Sequence, residues 1–180
     1  MRISSSDSVG IVIDIQEKLL PHIFEHERVI ANTRKLIAGL QVLDIPLIVT
    51  EQYPKGLGPT VTEIRDLFSQ FKTIEKLSFS CCDHPPFAGE LKSSGKNQLI
   101  ICGIEAHVCV LQTVIDAVAF GYQPVVIADC ISSRKEGDMV IALERMRREG
   151  VVISTVESIL FELCRKAGND TFRRISTLIK

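Results

Sequence analysis

Residues 97–129 read NQLIICGIEAHVCVLQTVIDAVAFGYQPVVIAD. The run up to Cys102 is almost entirely apolar, which predicts a strand buried on both faces. The turn GIEAH follows. From His107 to Gly121 the pattern is that of an apolar helix, with Gly121 placed as a residue just past its end. QPVVIAD then reads as another buried strand. Strand, helix and strand in this order form a right-handed βαβ unit, and such units build parallel sheets.

Outward from this unit the same alternation repeats. VGIVIDI (9–15) is a β-branched run and predicts a first strand. Residues 26–42 have helical spacing, with Val29, Ile30, Leu36, Ile37 and Leu40 on one side. IPLIVT (45–50) is a short second strand. EQYPKGLGPT (51–60), rich in Gly and Pro, is a loop. TVTEIRDLFSQF (60–71) predicts a short helix, and KTIEKLSFSCC (72–82) a brief third strand entering a loop. Beyond the central unit, EGDMVIALERMRREG (136–150) is a helix and VVISTV (151–156) a sixth strand. SILFELCRKAG (158–168) is a helix with Glu157 or Ser158 near its cap, and DTFRRISTLIK (170–180) is a last helix. No internal repeat, low-complexity segment or linker interrupts the series. The expected fold is one doubly wound, Rossmann-like α/β domain over residues 1–180, in three layers with a mostly parallel six-stranded sheet. Ligands of such sheets bind at the carboxyl ends of the strands.

The totals fit that reading. Of 180 residues, 46% are hydrophobic and 24% charged, and the formal net charge is −1. A near-neutral balance argues against nucleic acid or a membrane surface as partner, since both call for a basic face. A small-molecule substrate is expected instead. No apolar run reaches the ~20 residues of a membrane span. The opening MRISSSDSVGIVIDI lacks the basic region and long apolar segment of a signal peptide, so a cytoplasmic location is expected. The six cysteines are Cys81, Cys82, Cys102, Cys109, Cys130 and Cys164. In a cytosolic chain they read as free thiols, mostly small buried hydrophobes. None has the spacing of a structural zinc ligand pair.

Three residues at the expected functional edge stand out. Asp14 lies inside the first apolar run, where a carboxylate is costly unless it is paired or used; capping a turn is the plain alternative. Lys76 follows the short third strand, a place where a lysine is most often a solvated charge. Cys109 falls in the first turn of the central helix, where free N–H groups and the helix dipole favour an anion and lower a thiol pKa; a buried core cysteine is the plain alternative. Together they are an acid, a base and a thiol at the ends of the first, third and fourth strands. A cysteine nucleophile needs a proton acceptor, which Asp14 can be, and a positive charge, which Lys76 can be. The turn GIEAHV can supply N–H groups to an oxyanion.

The segments VIDIQEKL, EKLSFS, CGIEAHVCVLQTVIDAVAFGYQPVVIADCISSR and ALERMRREGVVISTVESILFEL resemble the isochorismatase-like cysteine hydrolases. TEQYPKGLGPTV resembles in particular the branch called isochorismatase domain-containing proteins. The resemblance covers nearly the whole chain. It implies an Asp–Lys–Cys triad at Asp14, Lys76 and Cys109, a non-proline cis peptide at Ile104–Glu105, and an oxyanion hole formed by the N–H groups of Glu105 and Cys109. It also implies a homo-oligomer, for which the apolar C-terminal helices are candidate interfaces. Two departures narrow it. The metal-binding Asp-x-His of the similar nicotinamidases is absent where this chain reads TEQYPKG, so no metal and no cofactor is expected. True isochorismatases lack the nucleophilic cysteine, so the amide-hydrolase branch fits better.

The expected function is therefore a cysteine hydrolase of a small amide or related C–N bond, through a thioester. A catalytically idle binding or scaffold protein of the same fold is the alternative. A redox-sensing thiol protein would require a second cysteine near Cys109. Among other residues, Gln16 either orients Asp14 or makes a turn hydrogen bond, and Phe79 either walls a flat substrate or packs in the core. His107, two residues from Cys109, does not face it along a helix. Cys81 and Cys82 are poorly placed to bridge each other. Ser132, Ser133 and Arg134 are placed to fix the site loop or to meet a neighbouring subunit.

Overall fold

A computed structural model describes residues 2–180. Its six strands form one all-parallel sheet in the order β3-β2-β1-β4-β5-β6. They are β1 (Ser8–Ile13), β2 (Leu47–Gln52), β3 (Ile74–Lys76), β4 (Gln98–Ile104), β5 (Gln123–Ser132) and β6 (Val152–Ser154). After β1 the chain adds β2 and β3 on one side, then returns to lay β4 on the other. The switch point of the fold thus lies between β1 and β4, where the carboxyl ends of a doubly wound sheet open a crevice.

Helix α1 (His26–Val42) joins β1 to β2, and the short α2 (Pro54–Leu57) and α3 (Thr62–Arg65) lie between β2 and β3. Helix α4 (Pro85–Ser94) leads to β4, α5 (Leu111–Ala119) to β5 and α6 (Glu136–Arg148) to β6. Helices α7 (Val156–Cys164) and α8 (Asp170–Ile179) follow. The two faces of the sheet carry separate cores. Val12, Ile100, Cys102 and Val125 pack with Leu36 and Leu40 of α1 and Leu160 of α7. Val9, Ile11, Ile13 and Ile101 pack with Phe87 of α4, Val114 of α5 and Met146 of α6. Residues adjacent in a strand serve opposite layers, as the two-residue period of a strand requires. No helix among the described residues is long and apolar enough to cross a membrane.

The expected loop at 51–60 holds the last two residues of β2 and then α2, the helix expected from His107 is α-helical only from Leu111, and three further local readings change. Helix α4 is additional: Pro85 and Pro86 open it, where the missing N–H groups cost nothing, and Gly95 closes it in the left-handed region with φ +64°. Strand β5 runs beyond Asp129 to Ser132. The cap of α7 is Thr155, whose hydroxyl accepts from the Ser158 N–H, rather than Glu157 or Ser158.

Candidate active site

Strand β1 ends at Ile13, and the next residue turns sharply. Asp14 has φ +53°, a left-handed conformation that aspartate tolerates better than most residues. Its N–H donates to Thr50 O. Its side chain, fully buried, is held from two sides: Thr50 Oγ1 donates to Oδ1 at 2.7 Å and Lys76 Nζ to Oδ2 at 2.6 Å. Lys76 is the last residue of β3, paired in register with Gln52. Its ammonium also donates to Gln52 Oε1 at 2.8 Å and to the carbonyls of Ser78 and Phe79, each at 3.2 Å.

Burial alone would lower the Lys76 pKa. Asp14, with smaller contributions from Cys81 and Cys109, outweighs it and holds the group above the ordinary lysine value. Lys76 therefore remains a cation at any physiological pH. Removing one partner of a buried pair of this kind typically costs about 3–5 kcal/mol.

Strand β4 ends at Ile104, the Ile104–Glu105 peptide is cis, and a single π turn (Ala106–Val110) precedes α5. The Glu105 N–H donates to no group among the described residues. The Glu105 carboxylate accepts from both the N–H and the Nε of Arg134, at 3.0 and 3.1 Å, which ties this turn to the end of β5. Cys109 lies in the π turn with only 5% exposure. Thr113 Oγ1 bonds its carbonyl at 2.7 Å and receives the N–H of Cys81 at 2.9 Å, bringing a second buried thiol alongside.

The Cys109 thiol lies beside Asp14 and Lys76, but its ionisation differs from the sequence reading. Burial, and then the Asp14 charge, push its pKa well above the ordinary thiol value, and Lys76 offsets only part of this. The physical reason is one of size. A helix terminus contributes about 0.3–1 kcal/mol, less than one pKa unit, whereas burial moves a group by up to about 3–5 units. Burial and the nearby Asp14 carboxylate thus favour the neutral thiol at rest. Cys81, also fully buried, is pushed up to about 11, first by burial and then by Asp14.

The remaining residues fall into place around this centre. Gln16 is buried and does not touch Asp14. Its Nε2 donates to Gln52 O and Gly58 O, and its Oε1 accepts from Gln52 N. The Phe79 ring is 54% exposed, so it is not core, and only its carbonyl joins the site. His107 turns away to Ser133 Oγ, at 2.8 Å from Nδ1. Ser132 Oγ donates to Phe24 O. No group of three or more His, Cys, Asp or Glu suited to a metal occurs among the described residues. A cavity of about 490 Å³ lined by Tyr53, Glu75, Leu77 and His84 reaches Lys76 but neither Asp14 nor Cys109.

Sequence reasoning missed Thr50, Gln52 and Cys81. Thr50 carried a usable signal: it is the polar residue that closes the otherwise apolar run IPLIVT, whereas Gln52 fell in a stretch read as loop. Cys81 carried none, since only the folded chain brings it beside Cys109.

Residues 8–158 match the isochorismatase domain family. The chain belongs to the isochorismatase family. It is 40% identical to isochorismatase domain-containing protein 2 of Danio rerio, over 99% of this chain and 89% of that protein. The MAR1 ribonuclease of Caenorhabditis elegans superimposes with a TM-score of 0.93 at 37% identity, covering 99% of this chain and 92% of that one. The YcaC protein of Escherichia coli, described as an octameric hydrolase of unknown specificity, gives 0.94 at 27% identity, covering 99% and 89%. The chain thus carries the hydrolase fold of the isochorismatase family, on the all-parallel, doubly wound sheet described above.

Proposed function

We propose that this isochorismatase-family chain is a cysteine hydrolase of a small amide or related C–N bond, with Cys109 as nucleophile, Asp14 as general base and acid, and Lys76 as fixed positive charge. The observation that carries the reading is the fully buried 2.6 Å Lys76–Asp14 pair set against the Cys109 thiol. An idle scaffold gains little from such a pair, because an apolar pair of similar volume is often as stable or more so.

The chemistry follows from the protonation states. The thiol is neutral at rest, so its proton must leave as the bond to carbon forms. Asp14 takes that proton while sulfur attacks the carbonyl, whose π electrons move to oxygen. The Glu105 N–H, which donates to no acceptor among the described residues, receives the oxyanion, with that of Cys109 as its partner. Collapse expels the amine, which takes the proton back from Asp14, and leaves a thioester on Cys109. Water then attacks the thioester, again giving a proton to Asp14. Cleavage of the C–S bond releases the acid, and sulfur recovers its proton. No metal or cofactor enters these steps.

The low exposure of Cys109 favours a small substrate. Six free, buried cysteines suit a reducing compartment, and we place the chain in the cytoplasm. Homo-oligomerisation is supported by the octameric E. coli relative and by the exposed apolar side chains of Phe120, Val140 and Ile141.

The test is a screen of small amides, carbamoyl compounds and hydroxamates against wild type and Cys109→Ala. RNA is included because of the name of the C. elegans relative. Turnover of a small amide by wild type, reduced by at least about 10³-fold in Cys109→Ala, is the expected result. Amide turnover that survives in Cys109→Ala, or cleavage of RNA alone, overturns the reading.

A further inference from the structure

Strand β2 ends in Thr50, Glu51 and Gln52, and the two outer residues face the ion pair as the strand period requires. Glu51 points to the other face, where it accepts from the Thr60 N–H and hydroxyl at 2.6 and 2.7 Å. Gln52 is fixed at every polar atom. Its Oε1 accepts from Lys76 Nζ at 2.8 Å, and its Nε2 donates to Leu77 O at 2.8 Å. Its backbone N–H and carbonyl are both taken by Gln16, at 2.7 and 3.0 Å. The amide cannot turn over, because that would set NH₂ against an ammonium and oxygen against a carbonyl oxygen.

The charge arithmetic around the sulfur is tight. The ionisable groups facing Cys109 are Asp14, Lys76 and Cys81. With Cys81 and Cys109 neutral, one carboxylate and one ammonium balance. A second carboxylate at position 52 would be nearly isosteric with Gln52. It would compete with Asp14 for Lys76 and add a negative charge beside the sulfur.

We propose that Gln52 is a positioning residue of this site, whose uncharged oxygen anchors the Lys76 ammonium against Asp14 while leaving Asp14 the sole carboxylate there. This rests on the hydrolase reading, which gives the ion pair its task. The contribution of Gln52 passes through Lys76, and it touches no reacting atom.

The experiment measures the rate of Cys109 alkylation by iodoacetamide across pH. Cys109 is read by peptide mass, in wild type, Gln52→Glu and Gln52→Leu, with a melting temperature for each. In Gln52→Glu the rate–pH curve is expected to move up by about one pH unit, a roughly tenfold slower alkylation at any pH below the midpoint. In Gln52→Leu the loosened ammonium offsets the thiol less, and the curve moves the same way by a smaller amount. A residue that merely ties β2 to β3 would lower the melting temperature and leave the curve in place. An unmoved curve in both variants overturns the proposal, and if Gln52→Glu does not fold, Gln52→Leu alone decides. The two readings fail separately. Amide turnover surviving in Cys109→Ala removes the cysteine mechanism, and a shifted curve beside it still shows that Gln52 sets the placement of the Lys76 charge. Static curves beside a dead Cys109→Ala remove only the role of Gln52.

Discussion

Lys76 has three N–H bonds to donate and four acceptors within 3.2 Å: Asp14, Gln52, Ser78 O and Phe79 O. It has nothing left for a substrate, so it acts as a charge held in place. Asp14 is different. Each of its oxygens accepts one protein hydrogen bond and keeps a second acceptor site, which is what a base beside a thiol requires. At this scale the sequence was partly legible. Asp14 was visible because a carboxylate stood in an apolar run, and Cys109 because a thiol stood at the mouth of a helix. Gln52 was hidden because EQYPKG reads as loop, although Glu51 and Gln52 still pair with β3. The protonation of Cys109 was not legible at all. A local pattern reports the helix terminus, whereas the stronger effect, burial, depends on residues far apart in the chain.

The ends of β1 and β4 place Asp14 and the Cys109 turn, and one glycine allows those strands to meet. Gly103 pairs with Ile13 and has φ +125°. A Cβ at that position would stand 2.1 Å from Ile13 O, a backbone atom one residue before Asp14. Relief requires β1 to move, because the obstacle is not a flexible side chain. Gly103→Ala is expected to destabilise the fold by about 3 kcal/mol or more, read as a lowered denaturation midpoint in urea. A midpoint within error of wild type would show that the strands have slack. Elements themselves were the most legible level, since six buried runs alternate with helical spacings. Helix α4 escaped because no element was read between residues 83 and 96, although paired prolines suit a helix's first turn. The length of β5 was underestimated because Cys130 and Ser132 look like loop until their burial is known.

Across the whole molecule, the sheet order determines what can meet. Asp14 and Cys109 flank the switch point between β1 and β4, while Lys76 reaches in from β3 past β2. The same compactness buries the thiols. Burial pushes Cys81, Cys82, Cys102, Cys109 and Cys130 above the ordinary thiol value, with Cys82 and Cys102 each up to about 12. A pKa raised on folding contributes stability that is complete below the unfolded value, about 8.5, and is lost as pH rises toward the folded values. Stability is therefore expected to fall above about pH 8.5 by up to about 1.4 kcal/mol per pH unit for each such thiol. Urea midpoints at about pH 7, 9 and 10 check this, and a flat series would contradict it. The central claim is that sulfur 109 bonds covalently to the substrate carbonyl. Its most direct test is the mass of wild-type protein quenched during turnover of a small amide. The expected result is an acyl group on the Cys109 peptide that forms and decays with product release. Turnover with Cys109 unmodified at every time point, in a protein whose Cys109→Ala variant works equally well, would contradict the account.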